Sequence, residues 1–366
     1  MSITRISTMS KKERALSAIH LEKPDRVPLD FSANAGTLVN LYQDLSVSGL
    51  HELLDHFNSD IFDMRGVVDP VYHGKRPFKT KLPSGVYENY WGMKTRIMQT
   101  DTGPEECYCD FPLETCEDVG QLKKYAWPSV DDFDFSTISD RLQEWKDFAI
   151  LATGPSIFQH PSFLRGLDNL LVDFLVAPEM AEFIMDTFTD FYLDYYDKLI
   201  CAAKGNITIL RIADDLGMQD RTLISPAIFT RFFLPRIKKF VDMAHSHNVY
   251  VMFHSCGSII PFIEELISIG VDILDPIQVT AKGMDPIILK EQFGNRLCFH
   301  GGIDTQYLLP LGSEADIRKQ VRVLVDSLGK GGGYILSPSH VLQTDVPLTN
   351  IRTLYEEALS YDSSRR

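Results

Sequence analysis

Apolar residues along the chain recur with two periods. Short runs read as buried strands, and longer stretches with an apolar residue every three or four positions read as helices. Strands are predicted over 27–31, 60–65, 149–153, 207–212, 250–254, 271–275 and 296–300, with a last one inside 331–337. Helices fill most of the intervals. Ser10-Lys-Lys-Glu13 has capping-box form and opens a helix to about His20. Others are predicted over 49–58, 162–176, 260–269 and 284–293. Pro178 sits at the first turn of a helix whose face carries Ile184, Phe188, Phe191, Tyr195 and Leu199, residues expected in the core. Ser225-Pro226 starts a helix to about His247, with Ile224 and Phe229 placed as a hydrophobic staple. Ser313 caps a helix reaching Leu328, and Pro347 starts the terminal one.

About eight strands alternating with helices predict an α/β fold, the (β/α)8 TIM barrel, with both faces of each strand buried. The stretch 69–128 breaks the alternation. It is rich in Pro, Gly, Tyr and charge, and its period is nearer two. A β-rich insertion after the second strand is expected there, of the length that often serves as a lid or binding loop. No repeat or linker divides the chain, so residues 1–366 read as one domain carrying that insertion.

Barrels of this kind hold their active sites at the C-terminal strand ends. Polar residues gather there: Asp30, Asp63, Arg65, Asp214, Asp215, His254, Cys256, Asp275, Asp304 and His340. The most specific stretch is Tyr250-Val-Met-Phe-His-Ser-Cys-Gly257, where an apolar run delivers His254 and Cys256 two residues apart before a glycine breaks it. Residues i and i+2 of a strand share a side, and zinc accepts both imidazole nitrogen and thiolate sulfur. Pro-Ser-His340, after the last strand, is the candidate for a third ligand. Asp304 is a candidate fourth ligand, supporting carboxylate or acid–base group. Asp214 and Asp215 suit substrate orientation, metal binding or base chemistry, and either can equally cap its own turn. Histidines at strand ends are ordinarily hydrogen-bonded loop residues and lone cysteines small buried hydrophobes. No role is assigned to His245, His247 or His300.

Composition narrows the class. A net charge of -14 over 366 residues disfavours nucleic acid as a partner. No run reaches the length of a membrane span. The first dozen residues are polar and lack the apolar core of a secretion signal. With six cysteines in a chain this long, the expectation is a cytoplasmic protein with reduced thiols, Cys107, Cys109 and Cys116 among them.

Several motifs together resemble the uroporphyrinogen decarboxylase superfamily. They are Glu13-Arg-Ala-Leu-Ser-Ala-Ile19 with Pro24-Asp-Arg-Val-Pro28, Asp214-Asp-Leu-Gly217 with Ser225-Pro226, His254-Ser-Cys-Gly257, Phe299-His-Gly-Gly-Ile-Asp304, and Gly332-Gly-Tyr-Ile-Leu-Ser-Pro-Ser-His340 followed by Asp345-Val-Pro347. The resemblance spans Lys11 to Tyr355 and implies a (β/α)8 barrel. It also implies one of two chemistries: cofactor-free decarboxylation of porphyrinogen acetates, or zinc-dependent methyl transfer to or from a corrinoid protein. True decarboxylases resemble one another in an arginine-rich N-terminal segment. The matching stretch here, 27–36, holds no arginine past Arg26, so substrate carboxylates would lack partners. The methyltransferase members carry His-x-Cys and a later cysteine as zinc ligands. His254 and Cys256 match the first two, and His340 stands where the later cysteine is expected, as a histidine also does in the decarboxylases. The expectation is therefore a methyltransferase with Zn2+ on His254, Cys256 and His340. Asp214, Asp215 and Asp304 are its catalytic candidates, and Asp63, Arg65 and Asp275 would contact substrate. Cobalamin would enter only on a separate corrinoid protein, since the chain shows no cobalamin-binding domain. A carboxy-lyase is the alternative, with Arg65 and Arg211 supplying charge and Asp63 or His340 the proton. A monomer or homodimer is expected.

Overall fold

The computed structural model describes residues 8–100 and 103–361. The first seven residues of the polar N-terminal segment lie outside them. A curled, parallel, seven-stranded sheet forms the centre, with its strands in chain order from edge to edge. They are β1 (Ile61–Asp63), β2 (Ala149–Thr153), β3 (Ile207–Ala213), β4 (Tyr250–His254), β5 (Ile273–Ile277), β6 (Cys298–Ile303) and β7 (Tyr334–Pro338). The architecture is α/β and TIM-barrel-like. One expected strand is missing from the count. Residues 27–31 make only an isolated parallel bridge, Leu29 to Leu336. The segment nonetheless touches both sheet edges: Asp30 N–H donates to the Leu336 carbonyl, and Asp60 N–H donates to the Leu29 carbonyl. Pro28 at its head has no N–H to give a ladder. A buried ion cluster pins it instead. Asp60 accepts from Arg14 Nη1 at 2.6 Å, Arg26 Nη1 at 2.7 Å and Leu29 N–H at 2.8 Å, and Arg14 Nε donates to Asp25 at 2.6 Å.

The alternation along each strand sorts two apolar layers. Ile61, Ala149, Leu151, Ile209, Met252, Ile273, Cys298 and Ile335 form one buried cluster with Ala15, Ala18 and Ile19. The last three come from the first helix (Lys11–Ile19), whose capping box from Ser10 to Glu13 forms as expected. This helix plugs the sheet's concave side at the N-terminal strand ends. The intervening residues, such as Phe62, Ile150, Leu210, Val251, Phe253 and Leu274, belong to the second cluster, under the outer helices. Moving one inward position toward the C-terminal ends changes the chemistry. Two residues after the apolar layer stand Asp63, Thr153, Arg211, His254, Asp275 and His300, one on each of β1 to β6.

Other departures from expectation are local. The helix expected over 162–176 is two, Gln159–Arg165 and Leu167–Val176, because Gly166 adopts φ 85° between them. The helix after Ser225 contains a π-helical turn over Phe229–Phe233 before continuing as Leu234–Ser246. Strand β6 does not stop at Gly301-Gly302 but runs through both to Ile303. The 26-residue helix Pro178–Ala203 buries Ile184, Phe188, Phe191 and Leu199 as its periodicity predicts, with Tyr195 partly buried.

Between β1 and β2 the chain forms a four-stranded antiparallel sheet over residues 79–109, and Val71–Tyr72 pairs with Phe133–Asp134. Its packing is aromatic. Trp91 stacks on Phe188 with centroids 4.2 Å apart, and Tyr108 stacks on Phe163 at 3.5 Å. Cys107, Cys109 and Cys116 are free and partly buried. Among the described residues, no helix is long and apolar enough to cross a membrane.

Candidate active site

Strand β4 ends at His254 between β3 and β5, in parallel register with Ala213 and Asp275. The chain then leaves both β3 and β4 through loops that touch backbone to backbone. Gly217 and Gly257 face each other so closely that a Cβ on Gly257 would fall 2.5 Å from the Gly217 carbonyl carbon. Gly257 also has φ 85°, a conformation glycine adopts without strain. Ser258 N–H donates to the Met218 carbonyl at 2.8 Å, and Ser255 Oγ accepts from Leu216 N–H at 2.9 Å. Both halves of the site, Asp214-Asp215 and His254-Ser-Cys256, are locked together by this contact.

Three donors converge there. A carboxylate oxygen of Asp215, a nitrogen of His254 and the sulfur of Cys256 all lie within 4.8 Å of one another. His254 Nε2 is 3.7 Å from Cys256 Sγ and 3.6 Å from Asp215 Oδ1. Zinc bonds of about 2.0–2.3 Å at tetrahedral angles set neighbouring donors roughly 3.4–3.6 Å apart, so this cluster fits a zinc ion with small adjustments. Its other hydrogen bonds prepare it. Asp215 accepts from Cys256 N–H at 2.9 Å and from Gln159 Nε2 at 2.8 Å. Burial pushes the Cys256 thiol well above its ordinary range, and Asp215 and Asp275 push it further. Without a nearby cation it therefore keeps its proton. A divalent ion would release it, and the thiolate and Asp215 together would balance the ion's charge.

Behind the cluster runs a buried polar network. His254 Nδ1 donates to Asp275 Oδ2 at 2.7 Å, which leaves Nε2 facing Cys256 and Asp215. The other Asp275 oxygen takes His300 Nδ1 at 2.6 Å, and His300 Nε2 reaches Asp30 Oδ2 at 3.0 Å. Carboxylates on both ring nitrogens favour the imidazolium. Burial alone would depress the His300 pKa, but Asp275 and Asp30 outweigh it and raise it from 6.5 to about 9. Burial would likewise raise Asp275, yet the charges of His300 and His254 hold it well below the usual carboxylate range. Arg211 joins β3 to this system, with Nη1 3.5 Å from Asp275 and Nη2 3.3 Å from Asp63. Its Nε is buried without a hydrogen-bond partner. His300 was assigned nothing from the sequence, although its place two residues after Cys298 on a strand's inward face was a signal.

The surroundings of the other expected site residues differ from one to the next. Asp214 is buried and not presented to a ligand: Ser156 Oγ and the N–H groups of Ile157, Phe158 and Gln159 all donate to it at 2.6–3.0 Å. Burial dominates those bonds and raises its pKa to about 6. It fixes the loop that carries Gln159. Asp304 accepts from the N–H groups of Gln306, Tyr307 and Leu308 at 2.9–3.1 Å, so its two oxygens cap the following turn. Asp63 and Asp275, the candidates for substrate contact, both face Arg211, and Asp63 also accepts from Thr153 Oγ1 at 3.0 Å. Arg65 is exposed, 3.8 Å from Asp63. His340 is not part of the three-donor cluster. Water reaches it at the rim, but it is set among neighbouring atoms, and lost hydration followed by the field of His254 pushes its pKa down.

Comparison with protein families matches residues 110–361 to the model for uroporphyrinogen decarboxylase. The chain belongs to the uroporphyrinogen decarboxylase family. Among solved structures, a methyltransferase from Methanosarcina mazei superposes with a TM-score of 0.65 at 18% identity, covering 96% of this chain and 98% of that one. This establishes a shared fold. A sugar phosphate isomerase/epimerase from Parabacteroides distasonis has a TM-score of only 0.38 at 11% identity, covering 92% and 97% of the two chains. Comparison with curated protein sequences gives no match.

Proposed function

We propose that this family member is a zinc-dependent methyltransferase, moving a methyl group between a small thiol or methoxylated compound and a separate corrinoid protein. The convergence of Asp215, His254 and Cys256 at the strand ends carries the reading. Family membership and the fold shared with a methyltransferase support it. We read the Leu29 segment as a reduced eighth stave, so that the seven strands and this segment surround one mouth. Zinc would be held by His254, Cys256 and Asp215, the carboxylate taking the place first given to His340. When bound, zinc supplies Lewis acidity that stabilises a thiolate at neutral pH or polarises an ether oxygen.

The chain's own residues do the rest. Asp275 holds the proton on His254 Nδ1 and so keeps Nε2 directed at the site. His300 and Arg211 balance the Asp275 charge, which lets a carboxylate stay ionised where burial would otherwise protonate it. Gln159, placed by the Asp214 loop, steers Asp215. His340, exposed at the rim, would hold or deliver a proton at the substrate's entrance, with Arg65 exposed beside Asp63. The decarboxylase alternative needs cations free to grip several carboxylates, and Arg211 is already committed to Asp63 and Asp275.

The test is metal content after dialysis against a weak chelator. Retained zinc should fall by one equivalent per chain in His254→Ala and in Cys256→Ala, and should stay at the wild-type level in His340→Ala. Zinc-loaded protein should then demethylate free methylcobalamin in the presence of thiols. Zinc content unchanged by His254→Ala and Cys256→Ala, or turnover that persists without zinc, would refute the proposal.

A further inference from the structure

A second group of metal-binding side chains lies at the opposite end of the sheet. Asp197 and Cys201 stand four residues apart on the helix Pro178–Ala203, so both project from one face, a turn apart. His247 caps the end of the helix Leu234–Ser246, which packs against that face. A ligand atom from each of the three lies within 4.8 Å of the others. His247 Nε2 and Asp197 Oδ1 already meet at 2.7 Å. Cys201 is exposed, and Asp197 and His247 are half-buried. Cys201 precedes β3 and His247 precedes β4, so the group sits where those two strands begin, away from the mouth.

We infer that Asp197, Cys201 and His247 form a second zinc site, one that staples two outer helices. Its donor set of one nitrogen, one sulfur and one oxygen is one that zinc accepts. Two of the three donors come from a continuous helix of 26 residues, and the third is fixed by a helix C-cap whose N–H is bonded to Ala244 and His245 carbonyls. Little backbone ordering is left for the metal to impose. Closing the site needs His247 to exchange its hydrogen bond with Asp197 for a shared ion and the exposed thiol to lose its proton. The fourth position stays open to water. The N-terminal face of such barrels serves stability more than catalysis, so the occupant acts by binding the folded chain alone.

The experiment uses the full chain carrying His254→Ala and Cys256→Ala, which removes the proposed catalytic cluster and separates the two proposals. Titration with Co2+ should show one binding event with a thiolate-to-metal charge-transfer band. Adding Cys201→Ser should abolish the band and weaken binding at least tenfold. His247→Ala should weaken binding comparably while the thiol remains. Saturating zinc should raise the unfolding midpoint of the background protein by a few degrees, and Cys201→Ser should erase that rise. Because Cys201 is exposed, the serine replacement leaves the core untouched, and a circular dichroism spectrum checks it. Absence of metal binding in the background protein, or binding that is unchanged by Cys201→Ser, would overturn the inference.

Discussion

Replacing Asp275 by asparagine tests the network behind the site most directly. The carboxylate is buried and accepts from His254 at 2.7 Å and from His300 at 2.6 Å, with Arg211 at 3.5 Å. Asparagine keeps the shape, but one of its two acceptor oxygens becomes an NH2 that faces a ring N–H. Removing one partner of a buried ion pair costs about 3–5 kcal/mol, and loss of the carboxylate behind a metal-binding histidine costs about 10–100-fold in metal affinity. The stability effect carries a pH signature. His300 rises from 6.5 to about 9 in the folded state. A raised pKa means its stabilisation is complete below the unfolded value of 6.5 and is lost as pH rises through about 9. At about 1.4 kcal/mol per pH unit, the contribution is on the order of 3 kcal/mol. Asp275 sets the acid limit: its pKa is lowered, so its share is present above 3.8 and lost as pH falls through its depressed folded value. Urea unfolding should therefore show a wide gap between wild type and Asp275→Asn at pH 6 that narrows near pH 10. Equal midpoints at pH 6, or a gap that persists unchanged to pH 10, would show that the His300–Asp275 pair does not hold the site together.

Two further substitutions separate scaffold from chemistry. Gly257→Ala places a Cβ 2.5 Å from the Gly217 backbone at φ 85°. It should destabilise the fold by about 1–3 kcal/mol through local strain and cut zinc retention, whereas wild-type retention would remove the loop contact from the account. Asp304→Ala should cost about 1 kcal/mol of stability, as loss of a turn or cap acceptor does, and leave zinc affinity unchanged. Loss of zinc in that variant would return Asp304 to the site.

Most of the fold was legible in the chain because strand and helix periods differ and because punctuation was strong. Ser10, Ser225 and Ser313 all cap helices as their patterns required. The failures have physical causes. Residues 27–31 look like a strand, but Pro28 lacks a donor and the ion cluster around Asp60 replaces a ladder. The glycines at 301 and 302 look like a terminator, yet both keep their pairing to β7, opposite Leu336 and Ser337, and β6 continues past them. Nothing in a sequence tells an acid facing a cavity from one whose oxygens are filled by loop N–H and O–H groups, as those of Asp214 are by residues 156–159 and those of Asp304 by residues 306–308. Only the N–H groups aimed at them decide that.

The donor set carries one more consequence. The sequence expectation of two nitrogens and one sulfur would leave a divalent ion with a single formal negative charge from its ligands. The cluster observed, with Asp215 in place of His340, supplies two. The surroundings carry charges of their own: Asp275 and Asp30 face His300, and Asp63 faces Arg211, so three carboxylates stand against two cations. A site with one negative charge would leave a net positive ion in a half-buried mouth beside Arg211. With two, a bound ion would be neutral with its ligands, and on the proposed reading a substrate thiol would give up its proton at the rim. On the proposed reading His340 would be free of coordination and available to take that proton.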